Sequence, residues 1–328
     1  MSESKKFWFL PCRWRESAVM ALVVVIGAAG LWFWQLTPPA ADTVVDIRAG
    51  ESVTALSEQV AGLGITRSPR AFRWYWRLQG AGSLHEGRYS LKGVTTLHQL
   101  FSVLSGGTPM TAWITIPEGY TVRRIAERLE QQAGITQAAF LKAAVNSDGT
   151  TLEGHLFPDT YQFLYGGDPA EIVSRMTERF DQVLPADFAR QAQKHGLTTQ
   201  ELLIVASIIE REARFDADRS IIASVIFNRL GKGMRLQMDA TLGYVLPAHN
   251  GFYTAAELAT ESPYNTYVHA GLPPTPICNP GLASLTAAAH APATAYYYFL
   301  AKSDGHCVFA RTYAEHARNI HLYLSGGN

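Results

Sequence analysis

Neither sign of charge is in excess in this chain, where 28 Lys and Arg offset 28 Asp and Glu over 328 residues. A basic stripe or face is the electrostatic footprint of a nucleic-acid binder, so no nucleic-acid partner is expected. Cysteine is scarce, at 3 residues. No Cys-x-x-Cys pair and no His-Glu-x-x-His helix occurs, so the common metal frameworks are missing and neither a metal nor another cofactor is expected. An oxidising compartment would permit a bond between Cys278 and Cys307, but nothing in the sequence brings them together, and two free thiols are expected.

Long apolar runs are also few, with one exception near the start. "AVMALVVVIGAAGLWFWQL", Ala18–Leu36, carries no charge. As a helix it would rise about 28 Å, close to the hydrocarbon thickness of a bilayer. Lys5, Lys6, Arg13 and Arg15 precede it, and no Lys or Arg follows until Arg48. The positive-inside rule then puts residues 1–17 in the cytoplasm and everything after a short linker (37–43) across the inner membrane, in the periplasm. The run exceeds the core of a cleaved signal peptide, so an uncleaved single-pass anchor over 18–36 is expected.

Past the linker a weak internal repeat can be read. "IRAGESVTALSEQVAGLGI" and "IPEGYTVRRIAERLEQQAGI" share a β-prone lead-in, a Gly turn, a Ser or Thr at the N-cap and an amphipathic helix. Such small α/β units resemble LysM modules, which bind N-acetyl sugars. We assign 44–109 to a LysM-like module and 110–149 to a second repeat packed on the next domain. From 150 to 328 the pattern turns to helices with long turn-rich loops between them, giving a mixed α+β domain. Within it "LEGHLFPDTYQF" reads as a loop.

The central helix of that domain carries the chemistry of interest. In "LLIVASIIEREARF", Ser207 is the one polar residue between Leu202 and Ile209, and then Glu210 and Glu212 follow. At about 100° per residue, Glu210 projects beside Leu203 and Ala206, and Glu212 beside Val205 and Ile208. A carboxyl desolvated by aliphatic neighbours keeps its proton to higher pH, as a general acid must. Arg211 and Arg214 could equally pair with these acids on a surface turn. The helix alone does not choose between these readings.

Four ordered motifs do. "ASIIEREA", "FNRL" with "GMRLQMDAT", "SPYNTYVHAGLPPTPICNPG" and "YYFLAKSDGHCVFARTYAEH" together resemble the membrane-anchored endolytic murein transglycosylases. The resemblance runs over essentially the whole chain. It implies cleavage of peptidoglycan glycan strands between N-acetylmuramic acid and N-acetylglucosamine, leaving a 1,6-anhydro end. It also implies peptidoglycan synthases as neighbours, termination or trimming of new strands, and Glu210 as the catalytic acid. Glu212 is then expected to support or tune it. Gln237, Asp239, Asn265, Tyr267 and Asn279 are expected to line the sugar cleft, with Ser207 as a further neighbour of the acid. Two other readings compete: a non-catalytic glycan-binding scaffold, and a hydrolase pairing Glu210 with Asp239 and water.

Overall fold

The computed structural model describes residues 12–35, 43–48, 50–66, 68–80, 84–246 and 253–324, with side chains of the first helix described over 17–29. That helix, α1 (Cys12–Gln35), forms where the apolar run predicts it. Among the described residues, however, no helix is long and apolar enough to cross a membrane. The expected membrane span at 18–36 is therefore not supported. Most of the expected cytoplasmic segment 1–17 and of the linker 37–43 lies outside the described residues.

The chain forms two compact units, one reaching to Thr111 and including Leu164–Gly166, the other made of Ala112–Phe163 and Gly167 onward. In the first, β1 (Val44–Ile47) is followed by α2 (Val53–Gly62) and α3 (Pro69–Leu78), then β2 (Gly87–Ser90) and α4 (Leu97–Gly106). β1 and β2 pair antiparallel with Val45 opposite Tyr89. Val45, Leu56, Phe72, Trp76, Tyr89 and Leu100 build its core.

The second unit opens with β3 (Thr111–Thr115), α5 (Val122–Ala133) and α6 (Gln137–Ala143), followed by β4 (Thr160–Leu164), which pairs with β3, and α7 (Pro169–Val183). The end of the segment read as a loop is thus a strand. Tyr161 and Phe163 alternate inward along it and Thr160 and Gln162 outward, a period-two pattern too short to register beside Pro158. Ser52 and Thr121 cap α2 and α5, each accepting a backbone N–H at 3.2 Å. These are the helices on which the internal repeat is expected from the sequence.

A helical layer follows: α8 (Phe188–Lys194), α9 (Thr199–Glu212), α10 (Asp216–Gly231), the single turns α11 (Asp239–Leu242) and α12 (Ala255–Leu258), and α13 (Leu282–Ala289). The hairpin of β5 (Tyr298–Ala301) and β6 (Cys307–Ala310) and then α14 (Tyr313–Leu324) complete the unit. A capping box starts α9: Thr198 Oγ1 accepts from the Glu201 N–H, and Glu201 reaches back to the Thr198 N–H at 2.7 Å. Every residue from Leu202 to Ile209 is buried, because α8, α10, α11 and α13 surround the helix. A helix apolar on all sides is stable only in such a position. Mixed α+β architecture around a central helix matches the sequence expectation. Both Cys278, buried, and Cys307 are free thiols.

Candidate active site

The C-terminal turn of α9 holds the two glutamates, about 200° apart around its axis. They meet different surroundings. Glu210, with a side chain 6% exposed, accepts the Gly281 N–H at 3.0 Å, and its other oxygen lies 3.3 Å from the Arg219 guanidinium of α10. Arg219 is held in turn by Asp216 at 3.0 Å and by the Ser284 hydroxyl. The Glu118 carboxyl lies against the Cα of Gly281, where no side chain could fit. Burial first, and the nearby Glu210 second, push the Glu118 carboxyl above its ordinary range. Glu210 is thus fully partnered by protein groups. The greasy surround expected from helical projection is an ion pair and a backbone N–H instead.

Three more of the expected site residues are likewise consumed by the fold. Ser207 donates to the Ile204 carbonyl and accepts the Ile277 N–H. Asn265 donates to the Leu258 and Thr260 carbonyls and accepts the Tyr267 N–H. Asn279 accepts the Leu156 N–H at 2.8 Å and donates to the Tyr120 carbonyl and to Glu153. Amides so committed position loops and have little left to offer a ligand.

Glu212 stands on a cavity of about 550 Å³, within the range of small-molecule sites. Arg229, Gln237, Asp239, Tyr267 and Tyr298 share its walls. Four residues singled out in the sequence, Glu212, Gln237, Asp239 and Tyr267, are therefore brought together. Burial pushes the Glu212 carboxyl up to about 7, opposed in part by the Ala240 N–H that it accepts at 3.1 Å. The Tyr267 hydroxyl donates to Asp239 Oδ1, which is thereby engaged with the cavity rather than capping α11. Burial and that bond raise the Tyr267 phenol.

Gln237 is the single non-glycine residue with positive φ (+51°) among the described residues. Its N–H donates to the Thr266 carbonyl at 3.1 Å. Such a conformation costs about 1 kcal/mol or more and persists only where neighbours hold it. Arg229 is the principal neighbour. Its Nε donates to the Tyr297 carbonyl at 2.6 Å, and its Nη1 to the carbonyls of Leu236 (2.7 Å) and Arg235 (3.1 Å). The guanidinium also sits 5.1 Å from the centre of the Tyr298 ring. One cation thus ties the floor of the cavity to the strand that walls it.

Sequence reasoning missed Arg229, Tyr298 and the buried Glu153. Glu153 accepts the first N–H of α5 at 3.0 Å and the Tyr244 hydroxyl at 3.2 Å, and burial pushes it up to about 7. An acid followed by Gly in "LEGH" was its only signal. Among the described residues no group of three or more His, Cys, Asp or Glu is placed to hold a metal ion.

What the cavity offers is a carboxyl that holds its proton near neutrality, a second carboxylate bridged to a phenol, and aromatic walls. Such groups can move a proton and hold hydroxyl-bearing partners. The chain belongs to the YceG-like family, which it matches over residues 45–322. Its relatives include the endolytic murein transglycosylase of Bacillus subtilis, 33% identical over 93% of this chain and 92% of that protein. The endolytic murein transglycosylase of Streptococcus pneumoniae is 28% identical over 84% of this chain, which spans 57% of that relative's length. Among solved structures, a YceG-like protein from Listeria monocytogenes superposes with a TM-score of 0.58 and 31% identity, covering 84% of this chain and 98% of that one.

Proposed function

We propose that this chain is an endolytic murein transglycosylase, and that Glu212, in place of Glu210, delivers the proton that breaks the glycan strand. Family membership and the named relatives support the reaction class. The observation that carries the residue is that Glu212 opens on the cavity with its proton held to about 7, whereas Glu210 is closed off by Arg219 and Gly281.

The reaction then runs without water as a reactant. Neutral Glu212 gives its proton to the glycosidic oxygen, the bond from that oxygen to C1 of the muramic sugar breaks, and positive charge develops at C1. The carboxylate left on Glu212 takes the proton of the same sugar's C6 hydroxyl as O6 attacks C1. One end leaves as a free 4-hydroxyl and the other as a 1,6-anhydro sugar, and Glu212 regains its proton. Asp239, bridged to Tyr267, supplies acceptors for sugar hydroxyls, and Gln237 an amide for them or for acetamido groups. Murein lies outside the cytoplasm, so the catalytic unit acts there.

The test is digestion of peptide-free glycan strands with the full protein, Glu212→Gln and Glu210→Gln, with product ends weighed by mass spectrometry. Anhydro ends lost in Glu212→Gln and kept in Glu210→Gln support the assignment. The reverse pattern restores Glu210 as the acid. Reducing ends from the unaltered protein would replace the transglycosylase with a hydrolase, and uncut strands would favour a scaffold. Attachment to the inner membrane through 18–36 rests on the apolar sequence run, and closeness to strand-polymerising synthases on that run together with the family resemblance. Recovery of the full chain from carbonate-washed membranes tests the attachment. A glycan-holding role for the LysM-like module 44–109 is tested by pull-down of that module on purified sacculi.

A further inference from the structure

One wall of the Glu212 cavity is aromatic and takes no part in the proton chemistry. It is made by Tyr298 of β5 and by Tyr313 and His316 of α14. The Tyr298 and His316 rings stack, centroids 5.3 Å apart and 23° from parallel. Tyr313 meets Tyr298 edge-on at 6.1 Å. Tyr313 is 69% exposed, so the core does not need it. A large ring left in water beside a polar cavity offers apolar area that a ligand can cover.

Two details set this wall apart from ordinary surface packing. First, Nδ1 of His316 is buried and has no hydrogen-bond partner among the described residues. Leaving a buried polar atom unsatisfied costs about 1–3 kcal/mol, which a ligand's hydroxyl or amide group can recover. Second, burial, followed by the charge of Arg229, holds the His316 imidazole below its ordinary pKa. The ring is therefore neutral at pH 7, able to donate from one nitrogen and accept at the other. Arg229 lies against Tyr298 and fixes the platform from behind.

A flat apolar ring beside a neutral donor–acceptor suits a ligand with an apolar face and a polar edge. Pyranose rings have that character, with C–H bonds on the face and hydroxyl or acetamido groups around the rim. We infer that Tyr298, Tyr313 and His316 form a sugar-stacking subsite, in which one N-acetylhexosamine unit flanking the cleaved bond lies against Tyr313 and hydrogen-bonds to His316. The assignment rests on the reading that the Glu212 cavity holds the glycan. It makes α14 part of the active site rather than a terminal ornament of the fold.

The experiment uses full-length protein carrying Glu212→Gln and a peptide-free tetrasaccharide of alternating N-acetylglucosamine and N-acetylmuramic acid, with binding followed by calorimetry. Adding Tyr313→Ala is expected to weaken binding about 3- to 10-fold, and Tyr313→Phe to restore it, because stacking needs the ring and not the hydroxyl. Adding His316→Ala is expected to weaken it by a similar factor. In the active protein, Tyr313→Ala should raise KM by that factor with kcat changed less than twofold. Unchanged affinity in both Tyr313→Ala and His316→Ala overturns the subsite while leaving the Glu212 assignment standing. An active Glu212→Gln protein overturns that assignment instead. Because Tyr313 is exposed, a folding defect is not expected, and an unaltered melting temperature checks it.

Discussion

The two flanks of α9 use the same residue type in opposite ways. On one, Glu210 is bound by an arginine and a backbone N–H, and its charge helps lock α9 to α10 and to the loop before α13. On the other, Glu212 has one backbone partner and a cavity in front of it. A carboxylate paired with a guanidinium holds structure together, while a carboxyl desolvated without a counter-charge becomes a store of protons. Two residues of separation on one helix decide which surroundings each glutamate meets.

The most forceful way to break this contrast is to neutralise each acid in turn. Glu212→Gln should lower turnover by about 10²–10⁴ or more, the usual contribution of a general acid, with little change in melting temperature. Glu210→Gln should do the reverse. It leaves Arg219 with the exposed Asp216 as its ion-pair partner among the described residues, and should cost about 3 kcal/mol of stability in denaturant unfolding.

The pH axis sharpens the same comparison. Glu153 and Glu212 both rise from 4.5 to about 7 on folding, so the folded chain binds more protons than the unfolded chain between these values. The stability they give is full below about 4.5 and is lost as pH rises through about 7. For Glu153 the loss is up to about 3 kcal/mol, and Glu153→Gln should flatten that part of the stability curve. Activity should also fall above about pH 7, as Glu212 gives up its proton, giving kcat/KM a descending limb there. The smallest effect expected is from Tyr267→Phe. It removes one hydrogen bond to Asp239 and should lower kcat/KM about tenfold without moving that limb.

Much of the frame could be read before any coordinates. The Thr198–Glu201 capping box and the apolar run to Ile209 announce a buried helix through purely local rules. The Ser and Thr caps of α2 and α5 were legible for the same reason. The choice between the two acids was not, since helical periodicity places a side chain on a face and says nothing of what faces it. What meets Glu212 comes from residues 237–240, from Tyr267 and from Tyr298, all remote in sequence. Asn265 and Asn279 looked like sugar ligands because loop amides that hold loops and loop amides that hold sugars have the same composition. Gln237 carried no sign of its positive φ, which glycine or asparagine would have signalled.

The Arg229 clamp bears on when the cavity takes shape as the chain is made. Its guanidinium joins carbonyls at 235 and 236 to one at 297, and the strand and helix just after that point close the cavity. A ribosome must therefore deliver the hairpin and α14 before the cavity has its aromatic wall. A chain halted before Tyr297 carries Glu212 but not the aromatic wall of its cavity.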